Sequence, residues 1–320
     1  MATRINRAIE LLEQDQAIYY VGQHTGHVLT YAQGREDAHT WADYINVGME
    51  HGSFDMPELA EYMRGLIDGG PTNSGHRTPA VIVEAPVRGT DAPNVCHNSW
   101  QLRQILARGV HGILLCQGES ADAVRVFVES ARYPHQAAGV DPALPSPLER
   151  MRGARPAARG AAPQDARPQL GIGTRGLGSE ATAALVWGIS REEYMQRSDP
   201  WPLNAKGELL LGVKIESPEG VANCEAILAV PGLGFAEMGP GDLGLALGYL
   251  SVPRHPYPPD LQEARDRVFA ACKTNGLAFL EVCSPQNIAA RLDEGVRVIA
   301  GHNPETAIVG RRHQKRVMPV

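Results

Sequence analysis

Two carboxylates in the stretch 209–248 have a spacing that suits metal chemistry. Glu216 follows the apolar run 210–215, and Asp242 lies in the Gly-Pro-Gly-Asp turn at 239–242 that ends the next apolar run. If the two runs are parallel strands joined by a helix, both acids lie side by side at one end of a sheet. Hard oxygen ligands beside a glycine-rich turn suit a divalent cation such as Mg²⁺ or Mn²⁺. We therefore predict a metal site that contains Glu216 and Asp242.

This stretch resembles the metal-binding core of the HpcH/HpaI aldolases, the class II pyruvate aldolases. The resemblance rests on the strand-end glutamate, the Val-Pro-Gly-Leu-Gly-Phe run at 230–235 and the Gly-Pro-x-Asp-Leu turn at 239–243. The separation of 26 residues between Glu216 and Asp242 is also similar to that of the family. The resemblance implies that these two acids bind Mg²⁺, Mn²⁺ or Co²⁺. It also implies that the turn, at Gly241 and Asp242, holds the carboxylate of a pyruvate-type substrate.

A histidine follows the second apolar run, in the dipeptide Glu50-His51. Family members carry a Glu-His dipeptide here, and the resemblance implies that His51 is the general base or relays protons. An imidazole at the end of a barrel strand suits that role because it titrates near neutral pH. Family members often have an aspartate three residues earlier to orient the ring, whereas this chain has Gly48. Glu50 or Asp55 would then have to orient His51.

Two charged positions on predicted strands depart from the family pattern. The third strand typically carries an arginine that contacts the substrate, but this chain has Glu84, with Arg88 four residues later. Glu84 either points into the site, as an acid–base group or a third carboxylate, or points away from it. Lys214 stands where relatives often have glutamine, and it shares a strand face with Glu216. Lys214 would supply the missing positive charge, pair with Glu84 or Glu216, or form a Schiff base.

The predicted site thus has a metal-binding part and a substrate-binding part. The predicted catalytic residues are His51, Lys214 and Glu84, the predicted substrate-binding residues are Gly241, Asp242 and Arg88, and the predicted metal ligands are Glu216 and Asp242.

Eight apolar runs alternate with helical patterns along the chain and position these residues. The strand candidates lie at 17–21, 44–48, 80–84, 112–116, 210–215, 234–238, 278–282 and 296–299. The first crossover, near 35–42, has a weak helical pattern. Strands without polar alternation are typical of a parallel sheet covered on both faces. We predict an α/β fold, a single (β/α)8 TIM-barrel domain over residues 1–320.

A long interval at 134–208, between the fourth helix and the fifth strand, breaks the alternation. Its first half is rich in proline, alanine, glycine and arginine, and its second half has a helical pattern with two tryptophans. Long loops in compact domains are either functional or disordered. We expect a lid, an oligomer contact or a surface elaboration without a chemical role, and the sequence leaves open which end of the barrel it decorates.

Composition excludes several other classes of function. A net charge of −6 gives no general attraction to nucleic acid or anionic membranes, and no apolar run of about 18 residues is present. The five cysteines show no CxxC spacing, so neither a disulfide framework nor a zinc site is indicated. The N-terminal residues lack the features of a signal peptide, and we expect a cytoplasmic protein.

The leading hypothesis is a metal-dependent carbon–carbon lyase that converts 4-hydroxy-2-oxo acids into a pyruvate-type 2-oxo acid and an aldehyde. By resemblance we also expect a homo-oligomer, either a hexamer or a dimer that exchanges its last helix. One alternative is a citrate-lyase-like enzyme whose arginine-rich insertion binds the phosphates of a CoA thioester. Those arginines are Arg150, Arg152, Arg155, Arg159 and Arg167. The other alternative is a barrel that binds a metabolite without catalysis.

Overall fold

A closed parallel barrel forms the centre of the molecule. The structure is a computed structural model that describes residues 2–155, 168–300 and 303–320. Within these ranges the barrel strands are β1 (Ile18–Gln23), β2 (Tyr44–Gly48), β3 (Ala80–Arg88), β4 (Gly112–Cys116), β6 (Leu209–Ile215), β7 (Phe235–Met238), β8 (Ala278–Val282) and β9 (Val298–Ala300). The two-residue strand β5 (Pro200–Trp201) pairs with the start of β6, and the pairs β1–β9 and β4–β6 close the ring. The predicted TIM-barrel fold is confirmed.

Helices connect the strands, and most begin at a capping side chain. They are α1 (Arg7–Glu13), α2 (Tyr31–Asp37), α3 (Met56–Gly69), α4 (Ala92–Leu106), α5 (Ala121–Ala131), α6 (Pro147–Met151), α7 (Glu180–Trp187), α8 (Arg191–Arg197), α9 (Pro218–Ala222), α10 (Cys224–Leu228), α11 (Pro240–Ala246), α12 (Pro259–Asn275), α13 (Ile288–Glu294) and α14 (Pro304–His313). Asp55 and Ser120, for example, accept hydrogen bonds from first-turn N–H groups of α3 and α5. No helix among the described residues has the length and apolarity needed to cross a membrane.

Several helical regions differ from what the sequence predicts. The first crossover helix begins at Tyr31, earlier than the predicted 35–42, because Thr30 caps its first turn. The single helix expected between the runs at 210–215 and 234–238 is divided into α9 and α10, which meet at Asn223. The turn at 239–242 continues into α11, which the sequence analysis missed although Pro240 occupies a first helical position.

Strand side chains alternate between two apolar layers. Outward-facing residues such as Val47, Val83 and Val213 belong to the larger core between the strands and the helices. Inward-facing residues, including Tyr20 and Phe235, fill the barrel together with residues of α1, which therefore covers its amino end. Near the carboxyl ends of the strands, the inward-facing residues are charged rather than apolar; they include Glu84, Lys214 and Glu237.

The described second half of the interval 134–208 lies at the amino end of the barrel. Trp187 Nε1 donates to the carbonyl of Gly109 at 2.9 Å, and the Tyr194 hydroxyl donates to the carbonyl of Leu106 at 3.3 Å. Both acceptors precede β4, and β5 pairs with the first residues of β6. The described second half of the interval is therefore not a lid over the carboxyl end. Arg159 and Arg167 lie outside the described residues.

The last helix packs against its own chain. Asn303 caps α14 and Pro304 is its first residue, whereas His302 lies outside the described residues. A Cβ on Gly310 would lie 2.0 Å from the Tyr19 hydroxyl oxygen, so only glycine permits this close contact between α14 and β1. Helix exchange between subunits stays a prediction.

A buried aspartate joins both ends of the chain at the amino face of the barrel. Asp43, which precedes β2, is fully buried and contacts the guanidinium groups of Arg7 at 3.1 Å and Arg311 at 3.3 Å. Arg316 Nη1 donates to its other oxygen at 2.7 Å. Burial would raise the pKa of Asp43, but the neighbouring guanidinium groups outweigh this effect and lower it. The carboxylate is therefore charged and balances several arginines.

We predict that Asp43→Asn lowers the free energy of unfolding by about 3 to 5 kcal/mol, because buried guanidinium groups lose their counter-charge. Urea denaturation followed by circular dichroism measures the change. The matched control is Asp15→Asn, since Asp15 pairs with Arg297 at 2.7 Å but its side chain is 81% exposed. That change should cost less than about 1 kcal/mol. Similar losses in the two variants would contradict the assignment.

Candidate metal and active site

Charged side chains occupy the inward positions near the carboxyl ends of the strands. Lys214 lies on β6 in register with Glu237 on β7, and Glu216 directly follows β6. Glu84 lies on β3 opposite Gly48 on β2. All four charged residues are buried. Because side chains two residues apart share a strand face, Lys214 and Glu216 both face the barrel mouth, as predicted.

The two predicted metal ligands share a neighbour, Gln117, which follows β4. Its backbone N–H donates to Glu216 Oε1 at 2.8 Å, and its side-chain amide donates to Asp242 Oδ2 at 3.3 Å. Gln117 has a φ of +49°, an unusual conformation for a residue with a side chain. A Cβ on Gly239 would lie 2.6 Å from Glu216 Oε2, so glycine lets the β7–α11 turn approach this carboxylate.

Glu50 joins the two predicted ligands into one cluster. Ligand atoms of Glu50, Cys116 and Glu216 all lie within 4.8 Å of one another, and those of Glu50, His51 and Asp242 do so as well. Carboxylate oxygens are the ligands that Mg²⁺ and Mn²⁺ prefer. Glu50 belongs to both groups, while Glu216 and Asp242 each belong to one of them, so the three carboxylates form an acidic cluster linked through Glu50. The sequence analysis named Glu50 only as a group that would orient His51.

The charge state of Glu216 also fits a cation site. Burial raises the pKa of Glu216 to about 8, Lys214 opposes the shift and Glu50 adds to it. Burial likewise raises the pKa of Glu237, whose Oε2 has no hydrogen-bond partner among the described residues. Several buried acids thus share too little positive charge, and a divalent cation would balance them.

Lys214 connects this cluster to Glu84. Its Nζ donates to Glu50 Oε2 at 3.0 Å and to Glu84 Oε2 at 3.1 Å. Glu84 also accepts from Asn46 Nδ2 at 2.6 Å and contacts His24 Nδ1 at 2.8 Å through both oxygens. Glu84 therefore points into the barrel, and its oxygens are engaged by these three groups. The ion pair between Lys214 and Glu84 is one of the predicted alternatives.

Both members of this ion pair are charged. Burial would raise the pKa of Glu84, but His24 and Lys214 outweigh it and hold that pKa at about 2. Burial would lower the pKa of Lys214, but surrounding anionic groups, Glu237 and Glu84 among them, raise it. A permanently protonated ammonium is not a nucleophile, so this geometry does not favour the Schiff-base alternative.

The other predicted site residues lie at the same end of the barrel. His51 is exposed, and its Nε2 is 3.7 Å from Glu50 Oε2. Arg88 is also exposed and donates to Gln117 Oε1, so it is connected to the predicted ligands through that side chain. Gly241 has open space on the side where a Cβ would lie. The structure thus brings His51 next to the acidic cluster and leaves Arg88 at its rim.

Comparison with known proteins identifies the family. The family model for HpcH/HpaI aldolase/citrate lyase matches residues 80–302, which include Glu84, Lys214, Glu216 and Asp242. The chain belongs to this family. Aldolases of the HpcH/HpaI family generally depend on a divalent metal.

Curated and solved relatives agree with this membership. The chain is similar to a hydroxypyruvate/pyruvate aldolase of Pseudomonas aeruginosa, with 33% identity over 259 residues that cover 81% of this chain and 73% of the relative. It is also similar to a 4-hydroxy-2-oxo-heptane-1,7-dioate aldolase of Shigella sonnei, with 25% identity over 77% of each chain. An HpcH/HpaI aldolase/citrate lyase family protein of Burkholderia cenocepacia shares the fold, with a TM-score of 0.64, 22% identity and 96% of each chain covered.

Sequence reasoning missed several residues of this HpcH/HpaI site. They are His24, Asn46, Gln117 and Glu237, and Glu50 was noted without a role at the metal. Polar or small residues at 46, 48 and 50 repeat every second position, which is the signal of one strand face turned toward a polar interior. That signal was available in the sequence.

We predict that the metal-free protein loses stability as pH rises from about 4.5 to 8, in part because of Glu216. Its pKa of about 8 in the folded protein exceeds the ordinary carboxyl value, so the folded state binds the proton more tightly. That contribution is present at low pH and is lost as pH rises through the pKa. In Glu216→Gln the side chain stays neutral at every pH, so this variant does not suffer the loss of stability that the buried carboxylate causes. Its melting temperature at pH 8, in the presence of a chelator, should therefore exceed that of the wild type by several degrees.

The matched control is Glu219→Gln, because Glu219 is exposed on α9. It should leave the melting temperature at pH 8 unchanged. Identical pH dependence of melting in the wild type and Glu216→Gln would contradict the assignment.

Proposed function

We propose that this chain is a divalent-metal-dependent aldolase that cleaves and forms 4-hydroxy-2-oxo acids. The observation that carries the proposal is the cluster of Glu50, Glu216 and Asp242 at the carboxyl end of the barrel, where barrel enzymes place their active sites. Its relatives are named hydroxypyruvate/pyruvate aldolase and 4-hydroxy-2-oxo-heptane-1,7-dioate aldolase. The substrate class is a pyruvate-type 2-oxo acid together with an aldehyde.

Glu216 and Asp242, with Glu50, would hold the cation. When bound, Mg²⁺, Mn²⁺ or Co²⁺ would supply Lewis-acid polarisation of the 2-oxo group. Gln117 holds Glu216 and Asp242 in place through two hydrogen bonds. Gly241 leaves room for the substrate carboxylate to approach the first turn of α11.

Cleavage requires a base for the substrate hydroxyl. The C4 hydroxyl loses its proton, the C3–C4 bond breaks, and its electron pair passes to the 2-oxo acid as an enolate. Lys214 is charged and buried beside the cluster, and it therefore adds positive charge near this developing anion. The imidazoles of His51 and His24 lie beside the charged residues at this end of the barrel. Either one has the chemistry of a proton acceptor.

The alternatives receive less support from the structure. The citrate-lyase-like alternative relied on arginines of the interval 134–208 to bind phosphates. The described packing contacts of that interval lie at the amino end, opposite the acidic cluster. A barrel that only binds a metabolite would show a thermal shift with metal and pyruvate but no turnover.

We predict that pyruvate is released from 4-hydroxy-2-oxo acids when Mg²⁺, Mn²⁺ or Co²⁺ is added, and that a chelator abolishes the release. Glu216→Ala and Asp242→Ala should each lower kcat/KM by about 10²- to 10³-fold, because loss of the cation removes several kcal/mol of transition-state stabilisation. A coupled assay for pyruvate measures the rates.

Glu219→Ala serves as the control for the ligand variants and should keep the wild-type rate, because its side chain is exposed on α9. Metal-independent release, or no release from a broad panel of these acids, would count against the proposed reaction.

A further inference from the structure

His24 is held at the barrel mouth by a buried carboxylate. It directly follows β1, and its Nδ1 lies 2.8 Å from both oxygens of Glu84. Glu84 is ionised, so it accepts the Nδ1 proton and fixes the neutral ring with its lone pair on Nε2. A buried carboxylate that orients an imidazole in this way prepares the ring for proton transfer.

The other edge of the ring is accessible. The His24 side chain is 43% exposed although its Glu84 partner is 1% exposed. Since Nδ1 points toward the buried carboxylate, the exposed edge carries Nε2. No hydrogen bond from another described residue engages this nitrogen. Nε2 is therefore free to meet a substrate at the carboxyl end of the barrel.

His24 is connected to the acidic cluster through short contacts. Glu84 contacts Lys214 Nζ at 3.1 Å, and the same Nζ contacts Glu50 at 3.0 Å. Glu50 in turn lies within 4.8 Å of Glu216 and of Asp242. His24 is thus linked to Glu50 of the acidic cluster through Glu84 and Lys214.

His51 lacks a comparable partner. Its ring is 51% exposed, and its carboxylate neighbour Glu50 lies 3.7 Å away, beyond hydrogen-bond distance. Glu50 is instead bonded to Lys214 at 3.0 Å. The position that would orient His51 in relatives is Gly48, which has no side chain to do so. A Cβ at that position would lie 2.1 Å from the carbonyl oxygen of His24, so glycine at 48 is what permits the β1 loop to approach.

We propose that His24, positioned by Glu84, is the proton-transfer residue of this chain, an inference that rests on the proposed aldolase function. In cleavage, Nε2 takes the C4 hydroxyl proton as the aldehyde C=O forms and the C3–C4 bond breaks. The electron pair of that bond becomes the enolate of the 2-oxo acid. The imidazolium then returns its proton to C3, which gives the neutral base and the released 2-oxo acid. Protons and electrons balance without any further reactant.

The charged groups around His24 come from three strands. Glu84 on β3 raises the pKa of His24 through the hydrogen bond, burial lowers it, Glu237 on β7 raises it and Lys214 on β6 lowers it, with a net upward shift. A base must be neutral to accept a proton, so the rate should fall as pH drops through this raised pKa.

The first experiment compares His24→Ala with His51→Ala in the metal-loaded enzyme. His24→Ala should lower kcat by about 10²- to 10⁴-fold, and added imidazole should restore part of the rate. His51→Ala should lose less and should not respond to imidazole. If His24→Ala does not fold, judged by its melting temperature, His24→Gln replaces it for the kcat measurement.

Wild-type turnover separates the two proposals. If the wild type releases no pyruvate, the aldolase function and the role of His24 both fall. If the wild type is active and His24→Ala keeps its rate, or if imidazole rescues only His51→Ala, the role of His24 alone is overturned.

The second experiment tests Glu84 as the positioning residue. Glu84→Gln removes the charge that raises the pKa of His24, so the acid limb of the kcat profile should move to lower pH. A purely structural role would lower kcat at every pH without moving this limb. An unmoved limb in Glu84→Gln would overturn the pairing.

Discussion

One buried ammonium group sets the charge state of the whole barrel mouth. Lys214 Nζ lies 3.0 Å from Glu50 and 3.1 Å from Glu84, and it is one of the causes that keep Glu84 ionised. Buried ion pairs are costly to form and even more costly to break, because the remaining charge loses its partner. A single ammonium group cannot neutralise the negative charge of all the buried carboxylates at this end of the barrel. Burial and the nearby charge of Glu50 therefore raise the pKa of Glu216. The site therefore has a physical reason to take up a cation.

The two ends of the barrel have different roles in this chain. At the amino end, Asp43 and its arginines join α1, β2 and the C-terminal residues, and the described second half of the interval 134–208 packs there through Trp187 and Tyr194. At the carboxyl end, charged side chains face each other across the strands, and Gln117 adopts a positive φ between two acids. This division is typical of barrel enzymes, in which loops at one end carry chemistry and the other end carries stability.

The strands and the candidate carboxylates Glu216 and Asp242 could be picked out from the sequence for different reasons. Continuous apolar runs reveal strands that are covered on both faces, and the boundaries of β2 and β4 agree with the prediction. Glu216 and Asp242 were recognised because each ends such a run. His24 and Glu237 were not recognised, because a single polar residue in or beside a strand has meaning only when its register against neighbouring strands is known. Asn46 was overlooked although its spacing from Gly48 and Glu50 carried a signal.

The three positions at which this chain departs from the family pattern lie close together in the barrel, as the strand register shows. By resemblance, family members often carry an aspartate, typically an arginine and often a glutamine where this chain has Gly48, Glu84 and Lys214. The sum of the charges is the same in both sets, but the negative charge moves from β2 to β3 and the positive charge moves from β3 to β6. The carboxylate of Glu84 on β3 contacts His24, which follows β1. The carboxylate neighbour of His51 is instead Glu50. The loss of a side chain at 48 provides the space that this contact needs. Lys214 pairs with Glu84, Glu84 contacts His24, and Gly48 leaves room for the backbone at His24, so these positions are energetically coupled in this chain.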